Sequence, residues 1–113
     1  IRHVALWRRS ETEMTKFHTV ISESPEVIYT CSFRMDGDPS DWWAGDSIEI
    51  MRPEFVYEGV ELPLLPSERG AIDIPANQLR DPDIFVDDDG TIYMPYGTAG
   101  EAGIALAKIT KEL

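Results

Sequence analysis

Asp41-Trp42-Trp43 sets two flat aromatic faces beside a carboxylate, an arrangement on which a pyranose ring can stack; packing of one Trp under the preceding loop is the competing use. Sugar cleavage would also need acids. Glycoside hydrolysis normally takes two carboxyl groups flanking the bond, one protonating the leaving oxygen and one acting as base or nucleophile. Glu54, Glu58, Glu61, Glu68 and Glu101 are all available as the acid, and none sits in a recognisable motif. Asp87-Asp88-Asp89-Gly90 has the charge for a calcium loop. An EF-hand, however, needs acids where Phe85 and Tyr96 stand, so the run reads as a turn. No phosphate-cradling glycine loop, zinc-type His/Cys spacing or nucleophile elbow occurs, so no metal and no cofactor are expected. Cys31, the single cysteine, excludes an intramolecular disulfide framework and is expected to be buried and inert.

Acidic side chains number 21 against 10 Lys and Arg, a formal net charge of −11. That balance argues against nucleic acid or an anionic membrane as partner, since both call for clustered cations, and it serves solubility. No apolar run approaches the roughly 18 residues of a membrane span, and no signal-peptide pattern is present. A chain opening on Ile1 rather than Met is expected to have lost an upstream portion or a leader. Nothing in it points to one cellular compartment.

The elements that must position these groups are strands. Residues 2–8 alternate Val4 and Leu6 with Ala5 and Trp7; residues 15–21 set Phe17, Thr19 and Ile21 against Lys16, His18 and Val20. Residues 26–34 alternate Val27, Tyr29, Cys31 and Phe33 with Ile28, Thr30 and Ser32. A loop over 36–41 leads to a fourth strand, 46–52, with Ile48 and Ile50 inward. No amphipathic helix of useful length appears. Residues 54–77 carry Pro63, Pro66, Pro75, Gly59 and Gly70 with no sustained period, which predicts a wandering surface connection.

A second meander follows. Arg80-Asp81-Pro82 leads into the β-formers Ile84-Phe85-Val86, and Asp89-Gly90 signals a hairpin turn in which both residues tolerate positive φ. Thr91-Ile92-Tyr93-Met94 returns, with Pro95 predicting a bend or a sheet edge. Residues 97–103 form a flexible connection, and 104–109 a third strand. The halves overlay as an imperfect repeat that lays Arg2-His3 on Arg80-Asp81.

Arg80-Asp81-Pro82, the apolar strand, Asp88-Asp89-Gly90, Tyr93 to Tyr96-Gly97 and then Gly103-Ile104-Ala105-Leu106-Ala107 make an ordered combination. Over residues 78–109 it resembles inner strands of the five-bladed β-propeller glycosidases, the superfamily of arabinanases, β-xylosidases of glycoside hydrolase family 43, invertases and levansucrases. The resemblance implies an all-β fold of antiparallel meanders. Its expected layout is a four-stranded blade-like unit over 1–56, a connection over 57–78 and a three-stranded partial blade over 79–113. At roughly 40–60 residues per blade, 113 residues are too few for a closed propeller.

The resemblance also places chemistry at the starts of the innermost strands, which line a central funnel. It makes Asp81 the candidate catalytic residue, as an electrostatic stabiliser kept ionised beside Arg80. Arg80, Asp83 and His3 become candidate substrate contacts, joined from the residues themselves by Trp42 and Trp43. The superfamily's first-blade nucleophile or base motif is absent from these residues. The expectation is therefore a fragment or relative of a propeller glycoside hydrolase without a full catalytic set of its own. The alternative is a non-catalytic β module that binds carbohydrate or self-associates. A homo-oligomer is expected in either case, because a blade presents apolar residues on both faces.

Overall fold

The computed structural model describes residues 1–110, so the expected partial unit 79–113 is seen up to residue 110. The chain is all-β: two antiparallel sheets built from meanders, with no α-helix among the described residues. In the first sheet β1 (Arg2–Arg8), β2 (Glu13–Thr19) and β3 (Ile28–Arg34) run in order. The two ends of β3 are then paired separately, by β4 (Trp43–Ala44) at Phe33 and Arg34 and by β5 (Ile48–Met51) at residues 28–30. The second sheet is β6 (Phe85–Val86), β7 (Ile92–Thr98) and β8 (Gly103–Ile109).

The core lies where the sheets meet. Ala5, Phe17 and Ile28 come from the first, Met94 and Tyr96 from the second, with Leu79 between. Trp7, Ile50, Ala105, Ala107 and Ile109 pack around them. Period-two alternation produces this, since every second residue of β1, β7 and β8 turns inward. Val4 and Leu6 of β1 and Ile104 and Leu106 of β8 accordingly turn outward and are exposed.

The leading segments of both sheets carry the same irregularity. Between the pairs Arg2↔Thr19 and Ala5↔Phe17 the first strand takes three steps while β2 takes two. Between Arg80↔Gly97 and Phe85↔Tyr93 the segment leading into β6 takes five while β7 takes four. Each is a one-residue bulge, and each holds a non-glycine residue in the left-handed region: His3 at φ 55° and Asp81 at φ 48°. The repeat read from the sequence laid these two residues on each other.

Several expectations are corrected. Pro95 neither bends β7 nor marks an edge: it sits mid-strand opposite Leu106, and its carbonyl accepts Asp83 N–H at 3.0 Å. β7 runs through Gly97 to Thr98, so the flexible connection shortens to residues 99–102. The turn before β7 is closed by Asp87 N–H to the Thr91 carbonyl (2.8 Å), and of its residues only Gly90, at φ 86°, is left-handed. Asp89 instead accepts Thr91 N–H through its side chain (2.9 Å). Ile48 is exposed rather than inward, because it lies toward the end of β5 away from the core-packed Ile50 and Met51.

The long connection is not a surface wanderer. Glu58, Ser67, Ala76, Asn77 and Gln78 are buried, and its backbone laces the sheets together through Ala99 N–H to Glu58 O (3.0 Å) and Leu79 N–H to Glu26 O (2.9 Å). Glu58, at the end of a 3-10 turn (Val56–Glu58), accepts the amides of Glu54 and Phe55 and, at 2.6 Å, the Tyr96 hydroxyl. Gly59 follows at φ 96°, where a Cβ would meet the Ala76 carbonyl at 2.8 Å.

Candidate functional site

Arg2 and Arg80, one residue before each bulge, reach the same carboxylate. Glu26, fully buried just ahead of β3, accepts Arg2 Nε at 3.0 Å and Arg2 Nη2 at 2.6 Å, a bidentate pair. Arg80 Nε stands 3.5 Å from the same group. Arg80 is itself buried and further tied to the Gln78 side chain (3.0 Å), the Gly70 carbonyl (3.1 Å) and Glu101 (3.2 Å). Burial alone would raise the Glu26 carboxyl pKa. Hydrogen bonds from Arg2 and Thr19 and the charges of both arginines outweigh it and hold the carboxyl below its ordinary value.

With the arginines drawn inward, the bulges turn the following residues toward each other. His3 Nε2 lies 3.4 Å from Asp81 Oδ1, while its Nδ1 lies 3.0 Å from Thr19 Oγ1 and 3.6 Å from Glu26 Oε2. Burial pushes the His3 pKa down, and the raising influence of Asp81 and Glu26 does not restore it. The Asp81 side chain is 57% exposed and looks into a cleft of about 340 Å³ lined also by Asp83, Glu101, Tyr96, Gly97 and Ile104. Gly97 keeps the cleft open beside the bulge: it exchanges two backbone hydrogen bonds with Arg80 (2.7 and 3.0 Å), and a Cβ there would press on the Arg80 carbonyl at 3.2 Å.

The sequence-derived candidates divide. His3, Arg80, Asp81 and Asp83 come together at one end of the molecule. Arg80, however, turns away from Asp81 toward Glu26 and Glu101, so it is neither the cation beside Asp81 nor a surface open to substrate. Asp83 lines the cleft with one oxygen engaged by Ile84 N–H at 2.8 Å. Trp42 and Trp43 do not join them. Both are exposed, and Trp42 is tied to the preceding loop by its indole N–H, which donates to the Gly37 carbonyl at 3.4 Å. Trp43 pairs with Arg34 at the far end of β3 from Glu26, roughly 25 Å away at strand rise.

Of the glutamates considered as acids, Glu101 alone lines the cleft, and its two oxygens are engaged by Arg80 and by Ile72 N–H (3.4 Å). Glu58 is committed to Tyr96. Glu26, Arg2 and Thr19 were missed as site residues. The available signal was the repeat itself: two equivalent buried-side arginines require a shared counter-ion.

An uncharacterised protein of Acanthamoeba polyphaga mimivirus is similar to this chain, 40% identical over 112 residues, which are 98% of this chain and 31% of the viral protein. The chain thus spans about a third of that relative's length. No protein-family model matches the chain, and no solved structure matches it.

Proposed function

We propose that this chain is a two-unit piece or relative of a five-bladed propeller glycoside hydrolase, and that the Asp81 cleft is its carbohydrate-facing site. The observation that carries the reading is the paired bulge. Two successive units each start with an arginine on Glu26 followed by a left-handed residue, and these two residues, His3 and Asp81, meet beside the cleft that Asp81 lines, as expected of repeated units that direct side chains toward a shared funnel. The Arg80-Asp81-Pro82 resemblance supplies the chemistry. Asp81 would act electrostatically on a sugar in the cleft, with Asp83 beside it.

Cleavage needs a second carboxyl group placed to exchange a proton; in the described cleft both oxygens of Glu101 are engaged, and Asp83, with one oxygen on the Ile84 amide, sits in no acid or base motif of the superfamily. The chain alone therefore binds and does not hydrolyse. Neutral arabino- and xylo-oligosaccharides titrated into the ¹⁵N-labelled chain should shift the amides of Asp81, Gly97 and Ile104, leave Trp43 still, and lose effect in Asp81→Asn. Aryl glycosides should show no turnover above background. Absence of any shift at the cleft overturns the carbohydrate reading; turnover abolished by Asp81→Asn overturns the claim of an incomplete catalytic set. A second reading, a non-catalytic module that self-associates, is favoured by the exposed Phe85, Ile104 and Leu106 on the outer side of the second sheet.

A further inference from the structure

We infer that His3 is a positioning residue for Asp81 rather than a substrate contact: its ring, anchored by the Thr19 hydroxyl, holds Nε2 3.4 Å from the Asp81 carboxylate, a polar contact that sets where that carboxylate stands in the cleft. This rests on the carbohydrate reading of the cleft for its purpose and on geometry alone for its substance. Asp81 starts a bulged strand and has a largely exposed side chain. Its carboxylate has an ion-pair contact with His3.

The tautomer follows from the neighbours. Each ring nitrogen faces a carboxylate oxygen, Nε2 at 3.4 Å from Asp81 and Nδ1 at 3.6 Å from Glu26, and a lone pair is repelled by either; Nδ1 also has the Thr19 hydroxyl beside it as a donor, so the proton goes to Nε2. Nδ1 then needs a donor, and the Thr19 hydroxyl supplies it at 3.0 Å; that hydroxyl's competing acceptors are the Arg2 carbonyl, farther at 3.3 Å, and Glu26, whose two oxygens Arg2 already engages. Thr19 is fully buried in β2, and the Arg2↔Thr19 pair just before the bulge brings its hydroxyl under the ring. The charged groups around His3 are Asp81 and Glu26, which favour imidazolium, and Arg2 and Arg80, which oppose it, and burial tips the balance to neutral imidazole. A neutral ring held at Nδ1 can point one N–H outward without adding a full positive charge to the cleft.

The chain has two histidines, so long-range ¹H–¹⁵N spectra of the imidazoles resolve His3 from His18 without ambiguity. At pH 8 the intact chain should show His3 as the Nε2–H tautomer. Thr19→Val should lose that bias and Thr19→Ser keep it. Asp81→Asn, at an exposed left-handed site where Asn is at ease, should lower the His3 titration midpoint by removing a charge that favours imidazolium. His3→Asn should weaken the oligosaccharide response several-fold while the amide spectrum stays dispersed. An Nδ1–H tautomer in the intact chain, or an unmoved midpoint in Asp81→Asn, overturns the inference. Failure of oligosaccharides to bind, with both imidazole results as expected, removes the carbohydrate reading and leaves the pair standing.

Discussion

His3 Nε2 stands 3.4 Å from Asp81 Oδ1, and each residue occupies the extra position of a bulge directly after an arginine that reaches Glu26. The two bulges are what make the contact. An unbulged strand would turn the residue after each arginine to the opposite face of its own sheet, away from the other. Left-handed backbone costs an ordinary L-residue roughly 1–2 kcal/mol, and Asp bears it more easily than most. Asp81→Ala should therefore be about 1 kcal/mol less stable than Asp81→Gly, with Asp81→Asn close to the original chain. Equal urea midpoints for Ala and Gly would remove the strain argument.

Glu26 is the shared counter-ion of two arginines. It is buried with two guanidinium groups around it, and loss of its charge leaves both without their shared counter-ion. Removing one partner of a buried pair costs about 3–5 kcal/mol, so Glu26→Gln should fall in that range, and Arg52→Gln, which breaks the exposed pair with Glu49, should cost less than about 1 kcal/mol. Denaturant titration of the two variants side by side checks the contrast. A Glu26→Gln loss as small as that of Arg52→Gln would mean the pair is no better than a surface bridge.

How far the sequence carried the reading depends on range. The long strands were legible because alternation is local: Ala5 and Trp7 fall on the face opposite Val4 and Leu6, as their alternation implied, and residues 104–109 lie within a strand as read. The equivalence of His3 and Asp81 was legible from the repeat. Glu26 was not, because its partners lie 24 residues before it and much further after it, and a lone acid ahead of a strand carries no local mark. The connection misled because Pro and Gly announce irregular backbone, not exposure. Buried Glu58 and Gln78 are held by Tyr96 and by the Leu65 carbonyl, partners that only the assembled fold brings near. Trp42 and Trp43 misled in the other direction. Their chemistry suited a sugar, but chain connectivity sends β4 to the wrong end of β3.

Acid should unfold this protein in two stages. Burial lowers the pKa of both His3 and His18 below 6.5, so as pH falls the unfolded chain takes up protons first. The stabilisation from keeping these rings neutral is complete above 6.5 and is lost as pH falls below it toward their folded values. Glu26, held below its ordinary 4.5, adds stability that is present above 4.5 and lost as pH falls through its folded value. Thermal midpoints should thus fall from pH 7.5 to pH 5.5 and more steeply below 4.5. His3→Asn should weaken the first stage to the share due to His18 and leave the second in place. A midpoint that rises on going from 7.5 to 5.5 contradicts the sign.

Assembly is the remaining expectation, and it follows from which faces are covered. One side of each sheet packs on the core; on the other, Ile104 is 86% exposed and Leu106 64%, with Phe85 stacked on Tyr93 in the same sheet. Phe85, Tyr93, Pro95, Leu106 and Ile104 occupy one outward face by register, because Tyr93 pairs with Phe85 and Lys108 while Pro95 pairs with Leu106. β8 has β7 on one side and no described strand on the other, so its backbone is available for edge pairing. Covering apolar surface yields roughly 25 cal/mol per Å², and a few hundred Å² would yield several kcal/mol against the cost of association. The net charge of −11 opposes contact between copies, which makes salt a lever. The chain should therefore be a dimer or larger oligomer at micromolar concentration, more so in high salt, and Leu106→Glu with Ile104→Lys should shift it toward monomer while the core between the sheets stays folded. Light scattering that finds one species near 12.8 kDa at every salt concentration, unfolding cooperatively, would show that the outward face needs no cover.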